Sequence, residues 1–349
     1  MLVLQLVLAG AHDKETIPKF LYLGQERLCG PWNNPNTFGG LMAVGLVLAA
    51  GLVVSGIMCQ VLGLGELGGH SASDIKHQTS KRCIWAWARI VVLVIAAGVV
   101  GVGLVKSYSR GAWMGTAIAL VYLGRKFAWC QVSSTRAEAR KGAETSAHSI
   151  RRRHLLLVAI IVISLAVLAF WNFRYTERTT PRRAFSVANV NDFAWRNRIA
   201  AWEGGLQMMA SKPFLGFGWN EQERVYDHFF RAPRVNESAA LQMNDYFTLG
   251  TTMGIPAVVC LLVYIGWSLR ESGEQPRRTS PQPSRGGGEE ENWLRTTCRA
   301  GAVVLLVVFW FDGGLFKLAT GAVFWILMEL GRVVEDRELK VERPEQGFA

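Results

Sequence analysis

Charge is scarce in this 349-residue sequence: Asp, Glu, Lys and Arg together make up 19%, against roughly 25% in ordinary soluble domains. That shortage excludes a soluble two-domain enzyme, and the apolar content excludes a disordered chain. The period-three glycine of a collagen-like repeat is missing, as is the strict apolar–polar alternation of an outer-membrane barrel. Cysteine numbers only six, and no Cys/His spacing resembles a zinc site. No metal site is read from these residues, and no cofactor is expected.

Long apolar runs are abundant. The chain is 50% hydrophobic with a mean hydropathy of +0.19. Charge is sparse in residues 38–63, 84–105, 111–123, 154–173, 246–269, 300–311 and 315–330, and several of these runs reach the ~20 residues a helix needs to cross the hydrocarbon layer. The fold class they imply is all-α: a polytopic transmembrane helix bundle of about seven spans.

The net charge of +11 points to cytoplasmic loops rather than to nucleic acid. Residues 124–153 carry eight basic side chains against Glu138 and Glu144, which places that loop inside. By alternation 64–83, 270–299 and 331–349 fall inside, and 1–37, 106–110, 174–244 and 312–314 fall outside. Cys29 is then the lone outer cysteine, so no intramolecular disulfide is expected there. The division is an N-terminal partial span and outer loop (1–37), a bundle of four spans (38–173), a large, partly helical outer loop (174–244), a bundle of three spans (245–330, with a cytoplasmic linker at 270–299) and a cytoplasmic tail (331–349). Residues 1–10 make only half a span without a basic start, which reads as a truncated span or a start lying upstream.

The outer loop 174–244 holds ten basic residues, nine of them Arg, with seven acids. One reading is a solvated, salt-bridged loop; the other is a site for a phosphate-bearing substrate, since the arginine fork holds phosphate bidentately. Trp195, Ile199, Trp202, Leu206 and Met209 form one stripe on a helix of 192–211, capped by Asn191 or Asp192 and ended by Pro213. The stripe suits packing better than a sugar platform. Gly216 and Gly218 read as a turn rather than a nucleotide fingerprint. Gly111 and Gly115 form a G-x-x-x-G pair suited to close helix approach. The segment PWNNPNTFGG reads as a turn followed by a helix start. Asp312, Gly313 and Gly314 interrupt 300–330, which reads as a hairpin of two short spans or as one long span.

The succession SYSRGAWMG, RNRIAAWEGGLQMMASKPFLGFG, LQMNDYFTLGTTMGIPA, FWFDGGLF and FWILMELG resembles the O-antigen ligase/polymerase family over residues 32–330. The resemblance implies a bundle akin to metal-independent, lipid-linked glycosyltransferases at the outer face of the bacterial inner membrane. It implies transfer of a glycan from undecaprenyl diphosphate to a glycan or lipid A-core acceptor, with membrane lipids as further partners and no nucleic acid. Carried over, Arg110 matches the Arg of the S-R-G turn and Arg198 the Arg four residues before the loop-helix Trp. Arg234 is the counterpart of an Arg preceding the catalytic segment by position alone. Guanidinium groups fixed at the leaving diphosphate would stabilise charge that grows in the transition state. Arg196, Asn244, Tyr246 and Trp202 complete the expected substrate contacts.

The departure from the family is at Met243. The family pattern His-Asn-x-Tyr supplies a histidine base; here Met243-Asn244-Asp245-Tyr246 stands instead, and a thioether takes no proton at neutral pH. Asp245 or His228 serves as base, or the acceptor chemistry differs, or the chain binds a lipid-linked glycan without transferring it. Asn244 and Asp245 also suit a helix N-cap and first turn, and His228 suits an ordinary surface. A transporter fits less well, because the charges gather in an outer loop rather than at mid-membrane.

Overall fold

A computed structural model describes residues 19–22, 25–32, 34–65, 75–139, 193–219, 221–231, 243–270 and 287–332. The apolar run 154–173, the cap at Asn191 or Asp192, Arg234, the first ten residues and most of the linker and tail lie outside them. The described elements are a two-stranded antiparallel hairpin, β1 (Lys19–Tyr22) and β2 (Gln25–Leu28), and eight principal helices. These are α1 (Pro35–Gly65), α2 (Ile75–Ser107), α3 (Arg110–Ala139), α4 (Phe193–Ser211), α5 (Asp245–Met253), α6 (Ile255–Leu269), α7 (Gly287–Phe311) and α8 (Leu318–Gly331). The protein is an all-α membrane protein. The small hairpin was not legible in the sequence, where 11–37 read as an irregular loop.

Three described helices are long and apolar enough to cross a membrane, at Pro35–Gly56, Trp87–Ser107 and Asn292–Phe311. Helices α6 and α8 are apolar but shorter. Helix α7 is the hub. It packs on α1, α3 and α8, and Val304, Leu305, Val308 and Phe309 along it are fully buried. In lipid the apolar surroundings give little drive for helices to associate, so contact comes from close approach and hydrogen bonds. The Gly111–Gly115 pair provides that approach. A Cβ on Gly115 would lie 2.8 Å from the Val304 carbonyl, and one on Gly111 2.8 Å from the Asp312 carboxylate. Trp293 adds a bond across to α1, its indole N–H donating to the Gly51 carbonyl at 2.8 Å.

The stretch 300–330 is a hairpin. Helix α7 ends at Phe311, a turn spans 312–317 and α8 begins at Leu318. The run 246–269 proves to be two helices rather than one. The break is at Gly254, whose φ of +88° suits glycine, and Pro256 sits in the first turn of α6. Pro256 has no N–H to offer Thr252, so α5 ends with unsatisfied carbonyls. The G-x-G segment supplies them: the Phe217 N–H donates to the Thr251 carbonyl (2.8 Å) and the Gly218 N–H to the Thr252 carbonyl (3.0 Å). Ile255 in turn donates to the Pro213 carbonyl at 2.7 Å. The turn read at 216–218 is thus a clamp tying the end of α4 to the break between α5 and α6.

The start of α1, the turn from α2 to α3, the turn from α7 to α8 and the start of α5 meet at one end of the bundle, as the bonds below show. Asn34 caps α1, accepting from the backbone N–H of Asn36 (2.9 Å) and Thr37 (3.1 Å).

Candidate active site

The site is built on the two interhelical turns. In the first, Ser107 closes α2 by donating its hydroxyl to the Leu104 carbonyl, and accepts from the Ser109 N–H. Tyr108 between them is buried with φ +52°, a left-handed conformation that costs a non-glycine residue ~1–3 kcal/mol. Ser109 caps α3, accepting from the Ala112 N–H at 3.3 Å, and donates its hydroxyl to Asp312 Oδ2 at 3.1 Å. Arg110 follows directly, half-buried at the head of α3.

Asp312 opens the second turn, and its other oxygen, Oδ1, accepts from Arg198 Nη2 at 2.8 Å. The side chains are 4% and 17% exposed, so this ion pair escapes most of the screening that weakens surface pairs. Asp312 therefore joins Arg198 on α4 to the Ser109–Arg110 turn.

The same turn meets α5. Asn244 caps that helix, its side-chain oxygen accepting from the Phe247 N–H at 2.8 Å. Asp245 Oδ2 accepts from the Leu315 N–H at 2.7 Å. Asp245 stands one residue before the apolar run 246–269. Burial raises its pKa from 3.8 to about 6, opposed by the Leu315 and Gly314 N–H groups and by the Lys317 charge.

Aromatic rings pack beside these groups. Trp202 meets Trp310 (centroids 5.6 Å apart), Trp195 (5.7 Å) and Phe247 (6.4 Å), and Trp195 stacks on Phe311. The stripe read on α4 is correct for Trp195, Trp202 and Met209. Leu206 and Ile199 are exposed, and the deeply buried face is instead Asn197, Ala200, Ala201, Gly204, Gly205 and Met208. Small residues let the backbone of α4 approach its neighbours, a signal that a search for large apolar side chains overlooks. The Trp202 indole N–H and the Asn244 amide nitrogen are buried without a hydrogen-bond partner.

The other expected residues are placed as follows. Tyr246 donates its hydroxyl to the Leu306 carbonyl at 3.1 Å, binding α5 to α7. Arg196 is exposed on α4. His228 is also exposed, on a π-helical turn at Tyr226–Phe230, with Nδ1 3.2 Å from the Arg224 carbonyl. No described contact joins it to Asp245 or Arg198. Met243 is buried, its sulfur accepting from Gln222 Nε2 at 2.8 Å. Among the described residues no cluster of three or more His, Cys, Asp or Glu is placed to hold a metal ion.

Asp312 was read in the sequence only as an interruption of an apolar stretch. The signal was there: an acid inside an apolar run is costly and usually partnered or functional.

Residues 91–262 match the family model described as O-antigen ligase. The chain carries an O-antigen ligase domain. No curated protein matches it. The matched region holds Arg110, Arg198 and Asp245, whereas Asp312 and the N-terminal hairpin lie outside it. The O-antigen ligase domain supports glycan transfer of the ligase or polymerase kind in general, with a lipid-linked glycan and a glycan acceptor as partners.

Proposed function

We propose that the protein moves a glycan from undecaprenyl diphosphate to a glycan or lipid A-core acceptor at the periplasmic face of the bacterial inner membrane. The observation that carries this reading is the Ser109–Asp312–Arg198 connection, in which the residue before Arg110 and the Arg198 guanidinium share one carboxylate at one end of the bundle. A carboxylate that takes one guanidinium N–H fixes the fork and leaves its other donors to meet a diphosphate. Charge growing on the leaving group is then met by cations already in place, which lowers the barrier without reorganisation. The packed rings of Trp195, Trp202 and Trp310 stand beside these groups and give that end of the bundle an apolar surface.

Asp245 is the base in this proposal. It abuts the turn that carries Asp312, and a carboxyl group titrating at about 6 is ionised at neutral pH yet more basic than an exposed one. Transfer assayed in membranes with a lipid-diphosphate glycan checks the reading. Arg198→Ala and Arg110→Ala should each lower transfer at least ~100-fold, the scale of losing a fixed charge-stabilising donor, at unchanged membrane insertion. Retained transfer in both variants would sink it.

A second reading, a non-catalytic binder of lipid-linked glycan, is favoured by one observation: Met243 is packed and hydrogen-bonded where the family carries its histidine. A binder would hold the donor but yield no product with any acceptor. Met243→His separates the cases further, since a large gain marks an impaired enzyme and no gain a reorganised one.

A further inference from the structure

Arg27 lies in β2, outside the residues matched to the family. It is 7% exposed, and a guanidinium is buried at high cost unless hydrogen-bonded. Its Nε donates to the Ser107 carbonyl at 2.9 Å and its Nη2 to the Asn36 side chain at 2.7 Å. One side chain of the hairpin thus bonds the last residue of α2 and the first turn of α1. The Ser107 carbonyl belongs to the peptide that leads into Tyr108, the residue with the left-handed backbone. On the far side of Tyr108 stand Ser109, bonded to Asp312, and Arg110. The turn is confined from below as well: a Cβ on Gly39 would lie 2.5 Å from the Ser107 hydroxyl and 2.8 Å from the Ser109 Cβ. A strained turn relaxes unless its surroundings hold it, and Arg27 supplies a charged donor at the carbonyl where relaxation would begin.

We infer that Arg27 is a positioning residue: the N-terminal hairpin, through its bonds to Ser107 and Asn36, holds the Ser107–Arg110 turn in the conformation that presents Arg110 and Ser109 to the site. Its effect on catalysis rests on the proposed function; its effect on the turn does not.

Arg27→Lys keeps the charge and most of the volume, but a single ammonium cannot reproduce the fork that spans two acceptors. Arg27→Met removes the charge, and Asn36→Ala removes one of the two bonds. Two measurements are made on membrane-inserted protein, each normalised to its amount. The first is amide hydrogen exchange of peptides covering 107–113, expected at least ~10-fold faster in Arg27→Lys, as opening of a locally held segment demands, with exchange in α7 unchanged. The second is steady-state transfer. Here kcat is expected to fall ~10-fold or more while the donor KM stays within ~2-fold, because misplacement by about an ångström acts on the transition state. Asn36→Ala should fall between wild type and Arg27→Lys in both. Unchanged exchange in Arg27→Lys and Arg27→Met overturns the inference. So does faster exchange with unchanged kcat in an enzyme that Arg198→Ala inactivates, for Arg27 would then be a fold anchor only. If Arg198→Ala and Arg110→Ala both leave transfer intact, the proposed function fails, and the exchange measurement alone decides the case of Arg27.

Discussion

At the scale of single residues, Asp312 and Asp245 do opposite things with a buried carboxylate. Asp312 is matched by Arg198 and Ser109, and removing its charge leaves a guanidinium that is only 17% exposed without its counter-ion. Asp312→Asn should cut transfer about as severely as Arg198→Ala, and the double variant should be little worse than either, because the two act as one unit. Full additivity in that cycle would refute the pairing. Asp245 is held by backbone N–H groups and titrates at about 6 instead of 3.8. A raised carboxyl pKa means the folded state holds its proton more tightly than the unfolded chain does. Folded stability therefore falls as pH rises from about 3.8 to about 6 and is level above that. Activity runs the other way if Asp245 is the base, rising through about pH 6 to a plateau. The log-rate profile tests this: Asp245→Asn should lose both the acidic limb and most of the rate, and a wild-type profile flat from pH 5 to 8 would argue against Asp245 as base.

Between elements, the decisive feature is the clamp between the end of α4 and the helix break at Gly254. Helices α4 and α5 both start at the site and both end at the clamp, so the clamp sets how Arg198 on one stands against Asp245 on the other. Gly216 has φ +63°, and a Cβ there would meet the Thr252 carbonyl carbon at 2.5 Å. Gly218 has φ +92° with nothing within 4 Å. Both substitutions to alanine bear the left-handed penalty of ~1–3 kcal/mol, but Gly216→Ala adds a collision with backbone that cannot swing aside. Thermal unfolding in detergent should therefore rank Gly216→Ala clearly below Gly218→Ala. Equal midpoints would show that the Phe217 and Gly218 bonds to α5 are not maintained.

The whole molecule is a bundle whose alternating helix ends put the turns 107–110 and 312–317 at the same end, with the start of α1. Cysteines placed at Phe316 or Leu318, both exposed, should react with a membrane-impermeant reagent added to the periplasmic side, and cysteines placed at 139 or 332 should not. Labelling of both sets from one side would overturn the orientation read from the basic loop 124–153. Length and hydropathy determined the helical class and the apolar runs without help, because a spanning segment must satisfy its own backbone and shed its charges, and both demands are written locally. Local chemistry likewise placed the helix start in PWNNPNTFGG, the cap at Asn244, the helix of α4 and the interruption at Asp312. The break at Gly254 was obscured because its compensating donors, Phe217 and Gly218, come from another part of the chain. Arg110 and Arg198 were visible through family resemblance, but their connection was not, since Asp312 stands 114 residues beyond Arg198. Arg27 was invisible for the same reason, its acceptor Ser107 being 80 residues away. The sequence by itself determined the helical class and where the apolar runs lie. Only the tertiary structure decided which polar groups share a carboxylate, because hydrogen bonds between distant segments leave no periodicity in either one.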